Sequence, residues 1–103
     1  MSGFTVYVTP RGFEEAKNLP GHIRQRIKRE IKSLAEEPRP SNSNGLEISE
    51  FEHELRRLRL ERWRVVYTVV EADQAVDVLA IRKPLPYDYG DLKELIKEIE
   101  KKL

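Results

Sequence analysis

The stretch from Leu55 to Val70 constrains this chain more than any other. Its first half alternates Arg57, Leu58, Arg59 and Leu60. Successive side chains of a strand point to opposite faces, so leucines go to one side and arginines to the other. The second half, Trp63 to Val70, is aromatic and β-branched with no helix breaker or turn residue inside it, the pattern of a central, mostly buried strand. Glu61-Arg62 between them reads as a tight turn. Leu55 to Tyr67 holds five of the chain's eleven arginines, so one face of the hairpin is cationic. Arg64 stands inside the apolar strand, where a guanidinium cannot shed its charge and needs an anion. Glu54 and Asp77 are candidates within the chain; a ligand phosphate is the candidate outside it.

The other elements follow in order. Phe4 to Val8 is a β-prone run stopped by Pro10. Thr9 can cap a short helix with Pro10 at its first position, running through Phe13 and Ala16 to Leu19, where Pro20-Gly21 breaks it. Ile23, Ile27, Ile31 and Leu34 then form the stripe of an amphipathic helix, with Arg24, Arg26, Lys28, Arg29 and Lys32 on the remaining circumference, which reads first as a solvated face and otherwise as a nucleic-acid contact. Pro38 to Gly45 reads as a loop, dense in turn residues. Ile48, Phe51, Leu55 and Leu58 also fall at helical spacing, but the Leu58/Leu60 alternation favours strand from Leu55 onward. Glu71 to Gln74 is a hairpin connection and Val76 to Ile81 a short apolar strand ending at Arg82-Lys83. Beyond Pro84 and Pro86, Asp88 or Asp91 can cap a terminal helix with Leu92, Leu95, Ile96, Ile99 and Leu103 on one face. The expected fold is α+β in the order βααβββα: a small, largely antiparallel sheet with two N-terminal helices on one face, the other face partly open, and a C-terminal helix.

At 103 residues the chain is expected to be a single domain, 1–103, with one modest core. Its net charge of +1 says little about partners, but the distribution says more: Glu47 to Glu54 has four acids and no Lys or Arg, directly before the arginine stretch. The absence of cysteine removes disulfides and thiolate chemistry and suits a reducing cytoplasm. No targeting segment is recognised and no run approaches the ~20 apolar residues of a membrane span, so a cytoplasmic location is expected. His22 and His53 are lone histidines without a carboxylate-spaced partner, which supports neither a metal site nor a histidine-based nuclease. No cofactor is expected.

Over nearly its whole length the sequence resembles the RelE/ParE toxin superfamily of prokaryotic type II toxin–antitoxin systems. The resemblance rests on the opening strand, the Leu19-Pro20 break, the stretch Leu34 to Pro38, Arg57-Leu58-Arg59-Leu60 leading into Trp63-Arg64-Val65-Val66-Tyr67, Arg82 at the end of the last strand, and Tyr89 with Leu92 opening the tail. It departs from the family at two places: Glu61-Arg62 stands where the turn often has a glycine, and Arg57 occupies the position of a lysine used in RelE-type catalysis.

The resemblance, to the RelE branch above all, implies a toxin that cleaves translated mRNA in the ribosome without a metal and is held inactive by a cognate antitoxin. The toxin–antitoxin complex would bind operator DNA through the antitoxin. In such a reaction the substrate's 2′-hydroxyl attacks the adjacent phosphorus, and the protein orients the backbone, stabilises phosphoryl charge and moves two protons. Arg57, Arg64, Arg82 and Tyr89 are the implied catalytic residues, with Tyr87 and Lys83 as register alternatives for the proton-transferring group. Arg59 and Arg56 are candidate RNA contacts and Trp63 a candidate stacking surface, although Arg56 also reads as a solvated edge charge and Trp63 as a core anchor. Two other readings stay open: a ParE-type poison of DNA gyrase, and a degenerate, non-catalytic binding module of the same fold.

Overall fold

A computed structural model describes residues 3–46 and 54–82. Its elements are β1 (Thr5–Val8), α1 (Pro10–Lys17), α2 (Gly21–Ser33), β2 (Ser43–Leu46), β3 (Glu54–Leu60), β4 (Trp63–Val70) and β5 (Ala75–Arg82), with a single 3-10 turn, Glu71–Asp73, joining the last two strands. The strands form one sheet in the order β1-β5-β4-β3-β2. β1 runs parallel to β5, and the other pairings are antiparallel. The α+β architecture with both described helices on one face is as expected. The terminal helix anticipated from Asp88 or Asp91 lies outside the described residues, as do Lys83, Tyr87 and Tyr89. Among the described residues no helix is long and apolar enough to cross a membrane.

The core follows from the two periodicities. Ile23, Ile27 and Ile31 from α2 and Leu34 at its C-cap join Leu58 and Leu60 from β3, Val65, Tyr67 and Val69 from β4, and Val76 and Val78 from β5 in one buried cluster, so the period of about 3.6 on the helix meets the period of 2 on the strands. Trp63 packs against this cluster. Tyr67 is fully buried and its hydroxyl donates to the Pro38 carbonyl at 2.7 Å, which satisfies a polar group that would otherwise be costly to bury.

Three expectations are corrected. The segment from Pro38 to Gly45 is not loop throughout, because Ser43–Leu46 forms β2 against β3, with Ser43 opposite Leu58 and Asn44 opposite Arg57. Ser-Asn-Gly has poor strand propensity, but pairing with β3 overrides it; Arg59 N–H donates to the Asn42 carbonyl at 2.9 Å and Asn42 Nδ2 to the Arg59 carbonyl at 3.0 Å, extending the pairing beyond β2. Helix α1 stops at Lys17, capped by Asn18, short of Leu19. The sheet face away from the helices is also less open than its arginines suggested: Leu55, Val66, Thr68, Val70 and Ala80 on that face are buried.

Helix α1 is stitched to β5. Thr9 Oγ1 accepts from Gly12 N–H at 3.1 Å as the N-cap and donates to the Leu79 carbonyl at 3.2 Å. Three residues further along the helix, Glu15 accepts from Ile81 N–H at 2.9 Å. β1 pairs only with Ala75 to Val78, so α1 takes over the backbone groups of β5 where β1 ends.

Candidate functional site

The register brings arginines from three adjacent strands into one row. Arg59 of β3 lies opposite Arg64 of β4, and Arg64 lies opposite Arg82 of β5. Arg57, two residues before Arg59, shares their face, which is the face away from the helices. Arg82 reaches that face only through a bulge. The β4–β5 register shifts between Val66, opposite Ala80, and Tyr67, opposite Val78, leaving Leu79 as the extra residue. A bulge reverses the alternation beyond it. Val76 and Val78 point into the core, and by simple alternation Arg82 would follow them; with the bulge Ile81 enters the core and Arg82 joins Arg64.

Like charges directly across a sheet repel, and local contacts offset this. Arg64 Nη1 donates to the Glu61 carbonyl at 3.0 Å and the Trp63 carbonyl at 2.9 Å, which turns the guanidinium towards the β3–β4 turn. The turn itself holds Glu61 at φ 54°, and Arg26 of α2 reaches the Glu61 carboxylate at 2.9 Å. Arg82 Nε stands 3.6 Å from Glu15 Oε2, with both side chains about a quarter exposed. At that distance the contact is one of charge rather than a hydrogen bond. Arg59 is exposed and Arg57 half-buried.

Two candidates from the sequence stand elsewhere. Arg56 lies on the other face of β3, opposite Tyr67, with its side chain only 16% exposed. Its Nε and Nη2 donate to Ser43 Oγ at 3.1 and 2.8 Å, and its Nη1 to Glu54 Oε2 at 2.9 Å. It fastens β2 to β3 and is not at the arginine row. Trp63 likewise faces the core side. Glu54 does not pair with Arg64, because it lies opposite Val69, five residues before Arg59 on β3 and on the other face; there Arg39 binds it, Nη2 to Oε1 at 2.7 Å, while also reaching Glu71 at 2.6 Å. The hydrogen bonds from Arg39 first, and from Arg56 after, hold the Glu54 carboxyl below its usual range although burial works against them. Glu15 was missed by sequence reasoning. Its signal was its spacing, three residues from Gly12 and six from Thr9, one face of a short capped helix.

Chemically, the row offers fixed planar donors for a phosphodiester. Guanidinium forks match phosphoryl oxygens in two places and stay charged throughout, so they can bind the backbone and neutralise charge that builds on it. Proton transfer needs another group, since an arginine is a poor base.

The family model described as the ParE toxin of the type II toxin–antitoxin system parDE matches residues 6–83. Among solved structures, the chain is similar to the archaeal RelE–RelB complex of Pyrococcus horikoshii (23% identity, 84% of this chain and 100% of that one, TM-score 0.73). It is also similar to the RelBE2 toxin–antitoxin complex of Mycobacterium tuberculosis (18%, 79% and 98%, 0.68) and to the isolated RelE toxin of Escherichia coli (19%, 93% and 98%, 0.65). A search of curated protein sequences gives no match. At these identities the structural likeness speaks for the fold.

Proposed function

This chain belongs to the ParE toxin family of type II toxin–antitoxin systems, within the RelE/ParE superfamily, and on that premise we propose that it inhibits translation by cutting mRNA in the ribosome at the arginine row of its sheet. The observation that carries this reading is the cross-strand register Arg59, Arg64, Arg82, with Arg57 on the same face. A protein that cuts RNA through the substrate's own 2′-hydroxyl must hold a phosphate in line and stabilise its added charge, and such a row does both. Tyr89, with Tyr87 and Lys83 as alternatives, remains the group assigned to proton transfer. The cellular partner is a cognate antitoxin, in keeping with the RelB-bound neighbours. Two places suit an acidic antitoxin segment: the arginine row, and a groove of about 360 Å³ beside β1, where apolar residues such as Val8, Phe13 and Ile27 are rimmed by Lys17, Arg24, Lys28 and Lys32.

A second reading, poisoning of DNA gyrase, is favoured by one observation: the matching family model is the ParE one. One experiment separates the two. The chain is induced without an antitoxin and transcript 5′ ends are mapped alongside chromosomal breaks. The ribonuclease reading expects new 5′ ends within translated mRNA and intact DNA. Arg64→Ala should lower cleavage on programmed ribosomes by roughly 10²–10³, the usual loss for one fixed donor to developing charge, and relieve growth arrest. Unchanged transcripts with accumulating DNA breaks would move the protein to the gyrase-poison class.

A further inference from the structure

We propose that Glu15, on α1, is a positioning residue for the arginine row: its carboxylate grips the edge of β5 with one oxygen and aims the Arg82 guanidinium with the other. This rests on the reading of the row as a phosphate-binding site. The geometry is specific. Oε1 accepts from Ile81 N–H at 2.9 Å, and Oε2 stands 3.6 Å from Arg82 Nε. The residue that anchors the carboxylate thus immediately precedes the residue it orients. Any drift of Glu15 would break a backbone hydrogen bond, so the carboxylate is a fixed rather than a flexible counter-charge.

The helix beneath it is equally fixed. Thr9 ties the start of α1 to the Leu79 carbonyl at 3.2 Å. At Gly12 the helix backbone approaches β5 so closely that a Cβ would stand 3.1 Å from the Val78 carbonyl oxygen. Thr9, Gly12 and Glu15 follow one another at spacings of three, one face of the helix laid along β5 from Val78 to Ile81. The bulge at Leu79 lies in that same interval. Helix α1 therefore clamps the deformation that brings Arg82 to the row, and Glu15 completes the clamp by fixing the side chain that results.

A carboxylate beside a phosphate site weakens ground-state binding of an anion, because like charges repel. Its presence makes sense if what it contributes is orientation. A carboxylate fixed beside the Nε edge of the guanidinium favours one setting of its plane, so less remains to be ordered when the substrate arrives. Glu15 also offsets the repulsion between Arg82 and Arg64 across the pair. The consequence is a division of effects: removing the charge of Glu15 should lower the rate of the chemical step without weakening substrate binding.

Glu15→Gln tests this, because the amide oxygen still accepts from Ile81 N–H while the carboxylate charge beside Arg82 is lost. In the free protein, the Arg82 Nε–Hε resonance should move in Glu15→Gln, with the other arginine resonances in place. On programmed ribosomes, single-turnover cleavage should fall about tenfold to a hundredfold, the range for a misplaced catalytic group. Affinity for an mRNA made uncleavable by 2′-deoxy substitution should be unchanged or tighter. Wild-type cleavage by Glu15→Gln would overturn the proposal, and so would a loss of rate accompanied by equal losses of affinity and of thermal midpoint, since those mark a purely structural residue. If the wild-type chain cuts no mRNA, the reading of the row as a nuclease site fails. The resonance then still decides the placement: an unmoved Arg82 signal in Glu15→Gln overturns it.

Discussion

Replacing Gly12 with alanine sets two effects of opposite sign against each other at one position. Alanine gains roughly 0.5–1 kcal/mol of helix propensity over glycine. A Cβ at Gly12, however, would meet the Val78 carbonyl oxygen at 3.1 Å and both Thr9 Oγ1 and Val8 Cγ1 at 3.3 Å. None of these is the loose end of a flexible side chain: one is backbone in the sheet, and another is a hydroxyl already bonded to Gly12 N–H and the Leu79 carbonyl. The helix must then move off β5, and overpacking of this kind costs about 1–3 kcal/mol. At the middle of both ranges the clash wins, with a net destabilisation of about 1 kcal/mol. In a domain of this size each kcal/mol lowers the unfolding midpoint by roughly 4–8 °C. Gly21, the first residue of α2, is the internal control, since a Cβ there meets nothing within 4 Å; alanine at that site should be neutral or mildly stabilising. Thermal unfolding followed by far-ultraviolet circular dichroism compares the three proteins. A Gly12→Ala chain as stable as wild type, or more so, would refute the close approach of α1 to β5 and with it the clamp on the bulge.

Two further outcomes follow from charge. Glu54 titrates below its ordinary value of 4.5 in the folded protein because Arg39, and then Arg56, hold its ionised form. A depressed folded value means stability that is complete above about 4.5 and is lost as pH falls from there through the folded value; denaturant unfolding across that window should show the loss, and Glu54→Gln should flatten it. The affinity of the separated antitoxin for this chain should weaken as salt is raised, because the two cationic places it is assigned are exposed to screening. Calorimetry across ionic strengths checks this, and an affinity that does not change would remove the arginine row and the lysine rim from the account of binding.

How far the sequence went, and where it stopped, can be traced through particular residues. Alternation in Arg57 to Leu60 and the unbroken run Trp63 to Val70 were enough to define a hairpin with a cationic face, and the stripe from Ile23 to Leu34 was enough to define the helix that covers its other side, because periodicity of 2 and of about 3.6 is written directly in residue order. Thr9 and Pro10 announced the start of α1 by local chemistry alone. β2 was not legible, since Ser43 to Leu46 becomes a strand only when β3 supplies its partners. Nor was the fate of Arg56, whose position among other arginines gave no sign that Ser43 and Glu54 would claim it. The row itself was the least legible feature. Alternation along β5 would send Arg82 to the core side with Val76 and Val78, and only the bulge at Leu79, clamped where Thr9, Gly12 and Glu15 of α1 meet β5, turns it to face Arg64. A strand's face is a local property of sequence until one residue is left unpaired; beyond that residue it is decided by which neighbour the backbone finds, and that is a property of the assembled sheet.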